Sequence, residues 1–254
     1  MNISLAFFKK EIKEIAKTSK IITLPAVFLF FAILSAFSAR YIKEIMMSLG
    51  EESILSAIPD PVYIDSYVQF FKNANFIYVL TIIAVFMGSV SDEKIRGTAS
   101  LVLTKNLGRS NFVISKLIAA VLFFTVSYAA SFCIFLYYTY IMFSKVFTEG
   151  TWAAFFVFWL YGVFIISLVI FSSTICKNNA LTAVVSVAGY ALASALSAIP
   201  KAGIYSPGAL QSIPLELIAG TRSFDDIYIS LIATVGVTAI LAAASIFSFK
   251  KQEL

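Results

Sequence analysis

Residues 91–116 read SDEKIRGTASLVLTKNLGRSNFVISK. The stretch sits between two strongly apolar runs and carries five basic residues: Lys94, Arg96, Lys105, Arg109 and Lys116. In its middle, Leu101, Leu103 and Leu107 alternate with polar groups. A basic segment between two apolar runs is the form of a loop kept on the inner side of a membrane by its charge. The runs on either side therefore read as spans, and the rest of the chain follows from them.

Composition agrees. Of 254 residues, 60% are hydrophobic and only 13% are charged. A soluble chain of this size could not bury so much apolar surface. Several uncharged runs reach the roughly 20 residues that cross a bilayer as a helix. The fold class is an all-α polytopic membrane protein. The net charge of +5 lies beside the spans, which suits anionic membrane lipid and gives no nucleic-acid signal. Two cysteines, Cys133 and Cys176, make no disulfide or metal spacing, and histidine is absent. No GxxxxGK[ST] phosphate loop is present, so ATP is not hydrolysed here by that route.

On the N-terminal side, the second span reads as 74–90, preceded by a polar connection over 40–72. The first span covers 21–39. Residues 1–20 form an amphipathic helix lying in the interface, with Leu5, Phe8, Ile12 and Ile15 on one face and Lys9, Lys13, Lys17 and Lys20 on the other. With Glu11 and Glu14 in it, this helix is too acidic for the basic end of a cleaved signal peptide. On the C-terminal side, a third span starts near Lys116 and runs to Phe143, with Tyr137, Tyr138 and Tyr140 in an aromatic belt. Trp152–Ile175 is a fourth span and Ala180–Ile199 a fifth, joined by the turn Lys177-Asn178-Asn179. Prolines 200, 207 and 214 break residues 200–226 into short pieces, read as broken or re-entrant structure on the outer side. Ile227–Phe247 is the sixth span. The chain divides into the helix 1–20 and a six-span domain, 21–254.

Six spans put both termini on one side. That side holds five basic residues in 1–20, five in 91–116, and Lys177, Lys250 and Lys251. The other side keeps only Arg40, Lys43, Lys72, Lys145, Lys201 and Arg222. The bias puts both termini in the cytoplasm of a multi-pass cell-membrane protein.

None of the six spans carries Asp, Glu, Lys, Arg or His in its core. Ion-coupled carriers keep such a group at depth, so energy for uphill transport should come from outside the spans. No metal site, nucleophile triad or acid pair is seen. In the fifth span, Gly189/Ala193 is one of several small-xxx-small pairs, which allow close helix approach in a dimer seam, a pathway wall or the bundle itself. Ser127 and Ser131 could line a conduit or bond back to carbonyls one turn earlier.

The 91–116 loop resembles the matching loop of ABC-2 type permeases, the membrane subunits of type V ABC transporters. Glu93, Gly97-Thr98, Leu101, Leu103, Arg109 and Lys116 fall in that family's order. Where the family often has Pro before the Arg, this chain has Lys105-Asn106-Leu107-Gly108. The amphipathic helix looks like the family's connecting helix. Six spans, a broken outer segment and Tyr205-Ser206-Pro207 are also similar. The resemblance implies a pair of permeases, identical or homologous, each docked on a separate ATP-binding subunit that holds ATP and Mg. The loop would contain a coupling helix, with Glu93, Arg96, Gly97, Thr98, Leu101, Leu103, Lys105 and Arg109 as the coupling residues. Leu101 and Leu103 would fill an apolar groove while the charged residues form rim contacts.

The function expected is a permease subunit of an ATP-driven exporter for an amphiphilic cargo: a peptide, a lipid-like molecule or a drug. The alternative is a membrane anchor or sensor that tethers a cytoplasmic partner through the same loop and moves nothing. An intramembrane enzyme lacks the reactive groups it would need.

Overall fold

The computed structural model describes residues 3–48, 60–98, 108–199 and 201–252, and these contain no β-strand. Six helices are long and apolar enough to cross a membrane, as expected, and the chain is a multi-pass membrane protein. Helix α1 covers Ile3–Lys17, α2 Lys20–Arg40 and α3 Ile42–Ser48. The second span is continuous over Tyr63–Ile95. It comprises α4 (Tyr63–Asn73), a π-helical turn at Ala74–Tyr78, α5 (Val79–Phe86) and α6 (Ser91–Ile95). Helices α7 (Arg109–Phe143), α8 (Thr151–Ile175) and α9 (Asn179–Ser197) follow. Short 3₁₀ turns at Gly203–Tyr205 and Pro207–Gln211 lead to α10 (Ile213–Ile218), and α11 (Tyr228–Lys251) is the sixth span.

Two spans begin earlier than their hydropathy suggests. The second starts at Tyr63 rather than 74 because α4 is amphipathic. The Asp65 carboxylate accepts from the Val62 N–H and opens the helix, while Tyr67, Phe70 and Phe71 are buried on one side. Gln69 between them and Lys72 just after them dilute the apolar signal. The third starts at Arg109 rather than near Lys116. Its 35 residues span about 52 Å at 1.5 Å per residue, well beyond a hydrocarbon core of roughly 30 Å.

Helix α8 is the centre of the bundle, with 72% of its apolar stretch buried, against 17% for α9 and 22% for α11. Aromatic rings fill the space between α2, α4, α7 and α8. Phe28 stacks on Tyr78 at 3.9 Å and Phe70 on Phe135 at 4.4 Å. Most buried hydroxyls find acceptors, as lipid and core demand, although those of Ser66 and Thr139 are buried without one. The Tyr78 hydroxyl donates to the Phe28 carbonyl at 2.6 Å.

The broken segment after α9 packs back into the bundle. The Ser206 hydroxyl donates to the Ala193 carbonyl and accepts from the Gly208 N–H. Gly208 lies so close to α9 that a Cβ there would overlap the Ala193 carbonyl oxygen.

Candidate functional site

The loop that opens at Ser91 is anchored before it leaves the bundle. The backbone N–H groups of Val90 and Ser91 both donate to the Ser173 hydroxyl at 3.0 Å, tying α6 to the end of α8. The Ser91 hydroxyl donates to Asn179 Oδ1, and Asn179 Nδ2 donates to Asp92 Oδ1 at 2.6 Å, adding the start of α9. Lys94 Nζ donates to the carbonyls of Thr174 and Cys176, at 2.6 and 2.9 Å. A cation on the last carbonyls of a helix suits both their unpaired lone pairs and the helix dipole. On the far side of the loop, Arg109 Nη1 makes the same kind of contact with α11, donating to the carbonyls of Lys250 and Gln252.

Between these anchors lies a buried ion cluster that joins three elements. Glu93 Oε1 accepts from Lys10 of α1 at 2.6 Å and from Lys116 of α7 at 3.0 Å. Lys116 also donates to Glu11 at 3.0 Å, and Lys10 to Glu11 and Glu14. The Lys116 side chain is 3% exposed, that of Glu11 8% and that of Glu93 9%. Such charges persist in an interior only when paired. Phe7 and Phe112, stacked at 5.3 Å, close over the cluster, with Lys10 facing the first ring and Lys116 the second at 5.1 Å. Carboxylate oxygens of Glu11, Glu14 and Glu93 converge within 4.8 Å, a spacing a cation would accept. The ammonium groups of Lys10 and Lys116 bond to all three carboxylates and occupy the positions a cation would take.

Titration in α1 follows from this geometry. Burial disfavours the charged form of Lys10, but hydrogen bonds to Glu14 and Glu93 and the charge of Glu11 outweigh it, lifting Lys10 above its usual 10.5. Burial would raise Glu14. The Lys10 hydrogen bond and nearby lysine charges instead hold it below its usual 4.5.

The residues singled out from sequence thus separate. Arg96 and Gly97 are exposed at the described edge of the loop. Gly97 adopts φ 67°, a left-handed turn that favours glycine. The Thr98 hydroxyl donates to the Glu93 carbonyl and helps close that turn. Glu93 is not a rim residue: it points inward, because two lysines compete for its carboxylate. The Arg109 guanidinium is likewise engaged, on the α11 carbonyls. Leu101, Leu103 and Lys105 lie outside the described residues.

Neither serine of α7 lines a conduit. Ser127 bonds back to the Phe123 carbonyl, and Ser131 bonds to the Tyr78 hydroxyl and the Phe28 carbonyl. Gly189 faces Leu168 of α8 and Ala193 receives Ser206, so this pair packs α9 within the chain.

Sequence reading missed Lys10, Glu11 and Glu14 as partners of the loop. It oriented α1 by its stripe of Leu5 and Ile12. Those two are exposed, while Phe7 and Glu11 on the opposite face are buried. The available signal was the spacing of Phe7, Glu11 and Glu14, which share one helix face. Sequence reading also passed over Ile95, which is 60% exposed beside Arg96.

A protein-family model described as ABC-2 family transporter protein matches residues 5–254. Among curated proteins, the chain is similar to an uncharacterized transmembrane protein of Bacillus subtilis (strain 168), YxlG. The two are 22% identical over 256 residues, covering 100% of this chain and 99% of that protein.

Proposed function

The chain belongs to the ABC-2 transporter protein family and is a membrane component of an ABC transporter; on that premise we propose that it is the permease subunit of an exporter. It works in the cell membrane with both termini cytoplasmic, paired with a second copy or a homologue. A separate ATP-binding subunit, carrying ATP and Mg, docks on the 91–116 loop and drives an amphiphilic cargo between the two permeases.

One observation carries this reading. The root of the loop is bonded to α1, α7, α8, α9 and α11, while Ile95, Arg96 and Gly97 stand exposed at its edge. A push on such an edge reaches the ends of several spans at once. Ile95 supplies an apolar anchor and Arg96 a rim charge. By the family resemblance, Leu101, Leu103 and Lys105 of the same loop are further docking residues in this reading. Glu93 and Arg109 act by position, holding the loop to α1 and α11.

Replacing Ile95 by Glu tests the assignment. Losing one buried apolar contact of about 1.5–3 kcal/mol weakens capture of the ATP-binding subunit by about ten-fold or more. Coupled ATP hydrolysis falls with it, while the thermal midpoint of the permease holds. Undiminished capture and hydrolysis in Ile95→Glu would remove this edge from the docking surface.

A further inference from the structure

A cleft of about 510 Å³ opens where α1 turns into α2, lined by Lys10, Thr18, Lys20, Arg96 and Thr98 with Glu14, Asp92 and Glu93. Formal charge in it balances, but the pairing does not. Glu14 is bonded to Lys10, Glu93 to Lys10 and Lys116, and Asp92 to Asn179. Lys10 is shared among three carboxylates. Among the described residues, Lys20 and Arg96 form no side-chain hydrogen bond or ion pair, although Lys20 is half-buried. A second cavity of about 210 Å³ adjoins the first through Lys20 and Asp92, and Ala84, Val85 and Met87 give it apolar walls. Two cations without acceptors thus face one cleft, beside a cavity with an apolar side.

Lys20 also has a defined depth. It is the last charged residue before the uncharged run 21–39, so its ammonium sits at headgroup level where α2 enters the bilayer. The carboxylates of Glu14, Glu93 and Asp92 in the cleft are already bonded to Lys10 and Asn179, and the further acceptors at that level are lipid phosphates. We infer that this cleft holds the phosphate of a membrane phospholipid between Lys20 and Arg96, with the start of an acyl chain against Ala84, Val85 and Met87. The lipid would wedge α1, α2 and the root of the 91–116 loop together. The site shares Arg96 with the proposed docking edge, but the lipid contact needs none of the transport reading to hold.

The test uses the full-length chain purified in detergent, without any partner. Four probes are added: phosphatidylglycerol, diacylglycerol with the same tails, glycerol phosphate, and inorganic phosphate. Native mass spectrometry counts retained lipid, and thermal unfolding reports stabilisation. Phosphatidylglycerol is retained and raises the midpoint; the other three do neither. Lys20→Met keeps the apolar stem but removes the charge, and weakens phosphatidylglycerol by about ten-fold, the worth of one charge-assisted hydrogen bond. Lys20→Arg retains it. Lys20 makes no bond within the ion cluster, but its charge acts on Glu14, so each variant's lipid-induced shift is read against its own lipid-free midpoint. Equal retention of diacylglycerol, or unchanged phosphatidylglycerol binding in Lys20→Met, overturns the site. Full stabilisation by glycerol phosphate or inorganic phosphate overturns the lipid as its occupant.

Discussion

At the end of the bundle that carries the termini, helices are joined by long charged side chains; at the opposite end, the chain is held by backbone set directly against backbone. Lys10 and Lys116 bridge α1, α6 and α7 through three carboxylates. At the far end Gly150, Gly203 and Gly208 each abut a carbonyl oxygen of another segment, with no room for a Cβ. Lysine has rotamers to spare, and Lys10 spreads its three N–H donors over three carboxylates. A glycine pressed on a carbonyl has one fit. The first arrangement can exchange partners as α1 and the loop shift, and the second keeps the re-entrant turns in a single position.

The largest effect should come from unbalancing the ionic end. Lys116→Met leaves Glu11 and Glu93 without their most buried partner, and removing one member of a buried cluster costs about 3–5 kcal/mol. Thermal unfolding in detergent should show this as the steepest loss of any single change at that end. Adding Glu11→Gln and Glu93→Gln to Lys116→Met should recover much of it, since buried charge, not lost packing, is the cause. A triple variant no better than the single one would mean that the cluster is held by its shape and not by its charge.

The far end should answer to volume instead. Gly208→Ala forces the turn off α9 and costs about 1–3 kcal/mol, the usual range for overpacking. A Cβ added to Gly236 in α11 would meet nothing within 4 Å, so Gly236→Ala is its control and should leave the midpoint level or raise it. If both substitutions behaved alike, the close approach at Gly208 would not be what holds the turns.

The same contrast explains what could be read from the sequence. Spans announce themselves by long uncharged runs, so six helices and the broken segment before the last were legible. Pro207 and Pro214 mark breaks that the structure keeps. The loop was legible as a unit too, because its basic residues interrupt apolar runs. What each of those residues does was not. Arg109 and Lys94 bond to carbonyls of helices far along the chain, and no local pattern encodes a carbonyl as a partner. Glu93 and Lys116 are 23 residues apart and meet only because α6 and α7 return to the same level. The start of the second span was hidden by two polar residues, the exposed Lys72 and Asn73, whose side chain donates to Ser35 of α2.

The smallest effect concerns acid and base, and its sign separates the two ends most finely. The folded pKa of Glu14 lies below its usual 4.5, so its contribution is complete above pH 4.5 and is lost as pH falls through the lowered value. The folded pKa of Lys10 lies above its usual 10.5, so its contribution is complete below pH 10.5 and is lost only as pH rises through the raised value. Between those limits neither group adds any slope, and with no histidine in the chain the ionic clasp should be level across the neutral range. On the acid side the far end also contributes, because Asp226, held below its usual 3.8 by the Ser223 N–H and hydroxyl, titrates there too. Glu14→Gln divides the two. Its unfolding midpoint should fall less than wild type below pH 4.5 and match the wild-type shape in the neutral range. An equal acid-side fall in both proteins would move the acid sensitivity from α1 to the far end, and a slope near neutrality would mean that a group outside this clasp governs how α1 is held.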